Sequence, residues 1–515
     1  MNIFHERASP GVVSLVMFLL SSCSSPVNDD TGEKLSLAVV CVGGPGQANG
    51  TSIANLKDGG FLVAGDFENT VVFGPGEVNE TSLTSIGGDD IFVARYHQDK
   101  TLAWASWAFG AGDESVSGLS VMEGGSFFLT GRFGSYNKPE GTIAVFGPGE
   151  PNETALTVYG SSEMFLAKYD AEGGLLWARQ SRGNGSEGSR SISATPDDSS
   201  LVAGSFSRTM TLGAGEPNET RLVAGASDIF VARYAPQGSL DWAFRIGAAE
   251  NDAGSGIFSF GDGSFLLVGS FEYMVEFNPM GEDQTFMEAE GKSDVFLAKY
   301  AMSGSLNWIR RAGGIYAEGV SDISVDPDGS FAVTGSFGQA GNRDWKTFTL
   351  GPGEPTETVL EGDDQWDAFV AQFHPDGSLV WAKGAISLVD AGLSSTTNHG
   401  NGLVLLNDGS VVITGEFSVS ITLEWQGENE VTLTSPGEND LDLFVARYRP
   451  DGSLDWAGRA GSEEYDRGNA VAMRPDGSFL LTGRLVKGST FDFGGDEEIL
   501  DCQVDGHALV LNIGP

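Results

Sequence analysis

Positive charge is scarce in this chain. Its 515 residues hold 29 lysines and arginines against 71 acidic side chains, a net charge of -42. Such a surface repels nucleic-acid phosphates and anionic lipid headgroups, which excludes nucleic acid as a partner. Histidine is scarcer still: His5, His97, His374, His399 and His507 are scattered, and no HExxH, GxSxG or Walker pattern accompanies them. No catalytic residue is assigned on this basis. Long apolar runs are missing too. The stretch GVVSLVMFLL is about ten residues, too short to span a bilayer as a helix. No helical periodicity of useful length follows it. Disorder is excluded by the opposite argument, since 40% of residues are hydrophobic and only 19% charged.

That short apolar run suits the core of a signal peptide. It is followed by Leu20-Ser21-Ser22-Cys23, which resembles a bacterial lipobox. The resemblance implies cleavage before Cys23 and acylation of its thiol. Ser24, where an aspartate would retain the protein in the inner membrane, implies sorting to the outer membrane. The expected division is a signal peptide over 1–22, a flexible polar tether over 23–33 and one folded body over 34–515. Of the three cysteines, Cys41 and Cys502 remain near the two ends of the mature chain. In an oxidising compartment they invite a disulfide.

What the chain has in abundance is repetition. The string FVARYRPDGSLDWAGRAG at 444–461 recurs upstream in close variants. Its phenylalanine falls at Phe92, Phe165, Phe230, Phe296, Phe369 and Phe444, and a tryptophan follows each one twelve residues later, from Trp104 to Trp456. A second segment, of the type DGSFLLTGSF, supplies Gly65, Gly131, Gly204, Gly269, Gly335, Gly415 and Gly483. The distance from tryptophan to the next such glycine is 27 residues in five cases of six. Residues 444, 446 and 448 share a face by the two-residue period of a strand. The following Pro-Asp-Gly-Ser is turn chemistry for a bulged hairpin. The first copy, HQDKT at 97–101, lacks the glycine and is expected to be the most strained turn.

Two hairpins per repeat make a four-stranded antiparallel unit. About seven such units, rich in Gly and aromatics, predict an all-β, seven-bladed β-propeller with extra hairpin insertions. Six first hairpins are intact. The seventh is expected from the chain ends, with 505–511 matching the FVARY strand and 35–41 the tryptophan strand, Leu37 standing for Trp. Their pairing closes the ring and removes open edges. The strings DAFVAQFHPDGSLVWAKG and SVDPDGSFAVTGSF resemble the bacterial SBBP, or beta-propeller repeat, units of exported proteins. The resemblance covers about 35–513 and implies a propeller, with little to say about ligand. Quinoprotein-type propellers usually carry an adjacent cysteine pair, which is absent here.

Candidate chemistry is sparse. Insertions such as FGPGEVNETSLTS gather Glu77, Glu80, Glu150, Glu153, Glu216, Glu219, Glu354 and Glu357, a possible rim for calcium or a cationic partner, or plain solvated excursions. Asp326 and Asp328 resemble part of a calcium loop without its later acidic ligands. Acidic runs at 112–114, 250–252 and 463–466 are expected as solvated turns, or as negative charge crowded at one channel end. NET at Asn79, Asn152 and Asn218 matches a glycosylation sequon. The reading is a monomeric lipoprotein of the outer membrane that binds protein or polysaccharide at the cell envelope, without an assigned cofactor. The rival is a glycan lyase or hydrolase with carboxylates at the channel mouth.

Overall fold

In the computed structural model, residues 25–28 and 34–514 are described, apart from 135–140, 282–283, 339–345, 363–365, 388–396, 426, 428, 438–439, 463–464, 475, 487–488, 493–497 and 500–505. The described residues form strands and turns and no helix. They build a seven-bladed β-propeller. Blades 1 to 6 occupy 47–110, 115–180, 187–246, 253–312, 317–386 and 398–461. Blade 7 takes 467–485 and 506–514 from one end of the chain and 34–43 from the other.

Blade 6 shows why the repeated string folds as it does. Asn398–Leu405 lies innermost, followed by Val411–Ser418, Leu441–Tyr448 and Leu454–Gly461. The inner pair carries a bulge between Gly400 and Gly402, opposite Gly415. A Cβ on Gly415 would collide with the His399 carbonyl oxygen, and each of its six counterparts meets the same obstacle. The recurring glycine is therefore required by close backbone approach. Apolar side chains from adjacent blades merge into seven clusters, one per junction. In the junction between blades 5 and 6, Ala332, Val370 and Trp381 pack against Val411, Ile413 and Phe444. Neither blade face could be buried alone, so ring closure and core formation are one event.

The ends close the ring as expected. Lys34–Gly43 pairs antiparallel with Gly506–Gly514, with Val39 opposite Leu511 and Val40 opposite Val510. The register differs by one residue from the sequence alignment. Leu37 faces Ile513, and Ala38 faces Asn512, the counterpart of Arg447, so Ala38 stands in the tryptophan position. In blade 6 the bulge sits beside the tight turn, between Arg447 and Tyr448. In blade 7 no turn joins the two strands, and the bulge moves to between Val40 and Cys41. Of the expected tether, Ser25–Asn28 pairs with 34–37, and the rest, like residues 1–22 and Cys23, lies outside the described residues.

The insertions are β-hairpins with exposed turns. In four blades the hairpin pairs with the outer strand of the preceding blade, whereas in blade 4 Met274–Glu276 and Phe286–Glu288 pair only with each other. Thr70–Phe73, inserted in blade 1, pairs with the outer strand of blade 7. Ile143–Phe146 pairs with that of blade 1, Ser420–Leu423 with that of blade 5 and Thr490–Asp492 with that of blade 6. Outer edges that would otherwise be open are covered by the next blade's own chain.

Candidate functional site

The acidic residues expected to offer ligands in the insertions are spent on tying each hairpin turn to the outer strand of its own blade. Glu77 Oε2 accepts the Leu102 N–H at 2.6 Å, and Glu150, Glu216 and Glu354 repeat the bond with Leu175, Leu240 and Leu379. Glu80 Oε2 accepts the Gly76 N–H at 2.6 Å, closing the loop on itself, and Glu153, Glu219 and Glu357 do likewise. The sequon asparagines Asn79, Asn152 and Asn218 donate to the Leu102, Leu175 and Leu240 carbonyls. Asp326 and Asp328 sit in a hairpin turn, where Asp328 Oδ1 accepts from the Ser330 N–H at 2.8 Å and hydroxyl at 2.6 Å. Among the described residues no three His, Cys, Asp or Glu side chains are grouped to hold a metal ion. Cys41 is disulfide-bonded, and Cys502 lies outside the described residues.

A second acidic series was legible in the repeat and overlooked. Two residues before each marker phenylalanine stand Asp90, Glu163, Asp228, Asp294, Asp367 and Asp442, all fully buried. Each sits beside the first residue of the next blade's inner strand or its neighbour: Glu114, Glu187, Asp252, Glu318, Asn398 and Asp466. These too are buried, so the acidic runs at 112–114, 250–252 and 463–466 end in staples rather than solvated turns. Asp252 shows the job: it accepts the Ala248 N–H from blade 3 at 3.2 Å and the Glu272 N–H from blade 4 at 3.1 Å.

Two carboxylates side by side in a dry junction repel, and three different arrangements relieve this. In blades 3, 4 and 6 an arginine neutralises the first acid: Arg245 to Asp228 at 3.1 Å, Arg311 to Asp294 at 2.9 Å and Arg459 to Asp442 at 3.1 Å. The same register position holds Trp107, Gln180 and Gly384 in blades 1, 2 and 5. There the second acid is an amide, Asn398, or keeps its proton: burial, together with the adjacent carboxyls Asp90 and Glu163, pushes Glu114 and Glu187 well above the usual carboxylate range. Burial also raises Glu318 to about 8 and Asp252 to about 7.

The channel itself breaks the seven-fold pattern. The inner-strand bulge carries Thr51, Ser117, Ser255, Ser321, Asn401 and Asn469 in six blades, and Arg190 in blade 3. Ser117, Asn401 and Asn469 stitch to the next blade, donating to the Ser189, Gly468 and Gly50 carbonyls at 2.6, 3.0 and 2.9 Å. Just outside the bulge, one cross-strand pair per blade forms the mouth. Blades 3, 4 and 5 place small residues there: Gly188 with Ser205, Ala253 with Ser270, Gly319 with Ser336. Blades 6, 7, 1 and 2 place His399 with Glu416, Arg467 with Arg484, Asn49 with Asp66 and Ser115 with Arg132. One half of the mouth is thus open and the other ionisable.

Within the ionisable half, Arg467 Nε lies 2.9 Å from Glu416. Burial raises Asp66 to about 7, assisted by Asp89 and opposed by Asn49, Arg132 and Arg467. The His399 ring lies 6.1 Å from the Trp366 ring, and burial beside Arg467 holds its pKa below the ordinary value. Arg190 touches water but is walled in by the channel, and that enclosure, with Arg132 nearby, lowers its pKa. Aligning the copies on their shared glycine is enough to expose these departures, because the flanking positions in other blades are Ser, Gly or Ala. Two clefts, of about 160 and 200 Å³, open between blades 3 and 4 and between blades 4 and 5, and neither is lined by these residues.

No protein-family model matches the chain. It is 17% identical to an uncharacterized WD repeat-containing protein of Acanthamoeba polyphaga mimivirus, over 97% of this chain and 40% of that protein. It is 25% identical to the regulatory protein FlaEY of Caulobacter vibrioides, over 72% of this chain and 44% of that protein. The chain therefore spans less than half the length of these curated relatives. A protein of unknown function from Bacteroides caccae aligns at a TM-score of 0.32 and 10% identity, covering 71% of this chain and 89% of its own. The chain is a β-propeller repeat protein.

Proposed function

We propose that this chain is an exported lipoprotein of the SBBP repeat type, held at the bacterial outer membrane by an acyl group on Cys23. The propeller serves there as a monomeric binding module for protein or polysaccharide. The observation that carries the binding role is the asymmetric mouth. Structural residues repeat seven-fold because each junction makes the same demands, whereas Arg132, Arg190, His399, Glu416, Arg467 and Arg484 do not repeat. The lipobox-like Leu20-Ser21-Ser22-Cys23 carries the anchoring role.

The test is capture from a native envelope fraction by the full chain, compared with an Arg467→Ala variant whose melting curve is unchanged. One envelope component retained by the first and released by the second supports the reading. Equal capture by both contradicts it. Replacing Cys23 by Ser is expected to release the protein from membranes, and membrane retention of that variant refutes the anchor.

One observation favours a catalytic mouth instead. His399 lies directly opposite Glu416, a histidine and a carboxylate in one cross-strand pair. Glu416 is buried and ion-paired with Arg467, which engages the carboxylate. Glycan cleavage by the full chain that is abolished in His399→Ala would establish the enzyme reading.

A further inference from the structure

We propose that the channel mouth is an oxyanion site, in which Arg132, Arg190 and Arg484 receive carboxylate or phosphate oxygens of a compact ligand. This deepens the binding reading above by giving its ligand a chemistry.

The first argument is pairing. With acids outnumbering bases 71 to 29, an arginine in this chain should find a carboxylate easily. Eight do: Arg95, Arg233, Arg245, Arg311, Arg447, Arg449, Arg459 and Arg467 are ion-paired. Among the described residues, Arg132, Arg182, Arg190, Arg221 and Arg484 have no ion pair and donate no hydrogen bond to another residue. Arg182 lies over the Tyr159 ring and Arg221 is exposed in an insertion hairpin, which leaves Arg132, Arg190 and Arg484 in the channel and its mouth. Arg484 Nε is buried with no acceptor. Buried donors are almost always satisfied, and a charged one left unsatisfied is expensive. A bound oxyanion supplies what is missing, and guanidinium is the group best shaped to hold carboxylate or phosphate in a bidentate grip.

The second argument is repulsion. Arg484 stands directly opposite Arg467 across two paired strands. Like charges so placed destabilise a sheet. Arg132 crosses the next blade over Gly188, its Cδ 3.8 Å from where a Cβ there would be, and lies close enough to Arg190 to depress its basicity. Arg132 of blade 2 and Arg467 of blade 7 both act on Asp66, Arg132 also acts on Arg190 of blade 3, and Arg484 stands opposite Arg467, which links the positive charge of these blades around the mouth. The carboxylates in the same mouth cancel it only in part: Glu416 is ion-paired with Arg467, and Asp66, which Arg132 also attracts, accepts from Asn49 at 3.5 Å and is pushed by burial toward its neutral form.

The third argument is space. Opposite the arginines, Gly188, Ser205, Ala253, Ser270, Gly319 and Ser336 leave the rim open. The surrounding charge of -42 disfavours an extended polyanion and leaves a small anion, or a single anionic group at the end of a longer ligand.

The experiment is calorimetric titration of the full chain at low ionic strength, with citrate as the carboxylate probe and inorganic phosphate as the other. Saturable one-to-one binding of at least one probe is expected, and which probe binds more tightly distinguishes the two chemistries. Arg132→Gln with Arg484→Gln should weaken binding by about tenfold or more, roughly one charge-assisted contact. Arg190→Gln provides a second variant, since its exposed side chain makes no bond that folding needs. Arg221→Gln, in an insertion hairpin, should change nothing. Absence of saturable binding into the millimolar range, or binding indifferent to Arg190→Gln and to the double variant, overturns the proposal. The probes are simple ions, so this outcome is separable from capture of an envelope component: capture without anion binding refutes the oxyanion site alone.

Discussion

The indole of Trp381, in blade 5, lies across Gly452, in the hairpin turn of blade 6: a Cβ on that glycine would be 2.8 Å from the indole Cγ and Cδ2. Trp381 Nε1 donates to the Pro450 carbonyl of the same turn at 3.1 Å. The relation recurs with Trp104 over Gly173, Trp177 over Gly238 and Trp308 over Gly377. This is why the chain repeats one string at fixed internal spacing. In these four copies the tryptophan covers the turn of the next, so both must keep the same height along the blade; over Gly304 the place is taken by Phe244.

Gly452→Ala meets two obstacles, the indole and a backbone φ of +82°. It is expected to cost about 1–3 kcal/mol. Trp381→Ala leaves a void at the junction and is expected to cost roughly 3–5 kcal/mol. Urea unfolding monitored by circular dichroism checks both, and midpoints within error of wild type would contradict the contact's role.

Lys100 shows the reverse case. It occupies the glycine position of the turn at 97–101 with φ +73°, as the missing glycine in HQDKT implied. Lys100→Gly relieves a left-handed side chain, offset in part by the freer unfolded chain, and is expected to stabilise by about 0.5–1 kcal/mol. A lower unfolding midpoint would refute it.

The buried acid pairs set the pH dependence. Their folded pKa values lie above those of the unfolded chain, with Glu318 at about 8 and Asp252 at about 7. The unfolded state therefore releases protons first as pH rises, and stability falls between about pH 4 and pH 9. Below that window the turn aspartates Asp328, Asp376 and Asp451, held low by serine hydrogen bonds, act in the opposite direction and lose their contribution as they protonate. Maximum stability is expected near pH 4. Glu187→Gln copies the amide solution already present at Asn398 and should raise stability at pH 8.5 by roughly 1–2 kcal/mol while changing little at pH 5.5. Melting temperatures across the pH range measure it, and equal effects at both pH values would contradict a retained proton.

A disulfide from Cys41 to Cys502 should appear as one linked peptide pair in a non-reducing digest. Its reduction is expected to cost about 2–4 kcal/mol. Free Cys502 thiol in the oxidised protein refutes the pairing.

Fold and function were unequally legible. The constant Phe-to-Trp and Trp-to-Gly spacings determined blade number, strand order and closure, because every junction imposes the same requirement. The Leu37 alignment slipped by one because no tight turn pins the bulge in blade 7. The buried series from Asp90 to Asp442 was visible at a fixed offset from the phenylalanine, yet acidity at a strand start looks the same in one sequence whether solvated or buried. The mouth arginines were hidden for another reason. They come from blades 2, 3 and 7, far apart in sequence, and only the ring brings them to one opening.

The central claim is that the two ends of the chain are neighbouring strands of one blade, and it is tested most directly by hydrogen exchange on Val40→Pro. Proline at 40 removes a backbone N–H and fixes φ in the strand opposite Val510, next to the bulge. The account predicts faster exchange in both 34–43 and 506–514, with blades 3 to 5 unchanged. Faster exchange confined to 34–43, with 506–514 as protected as in wild type, would contradict it.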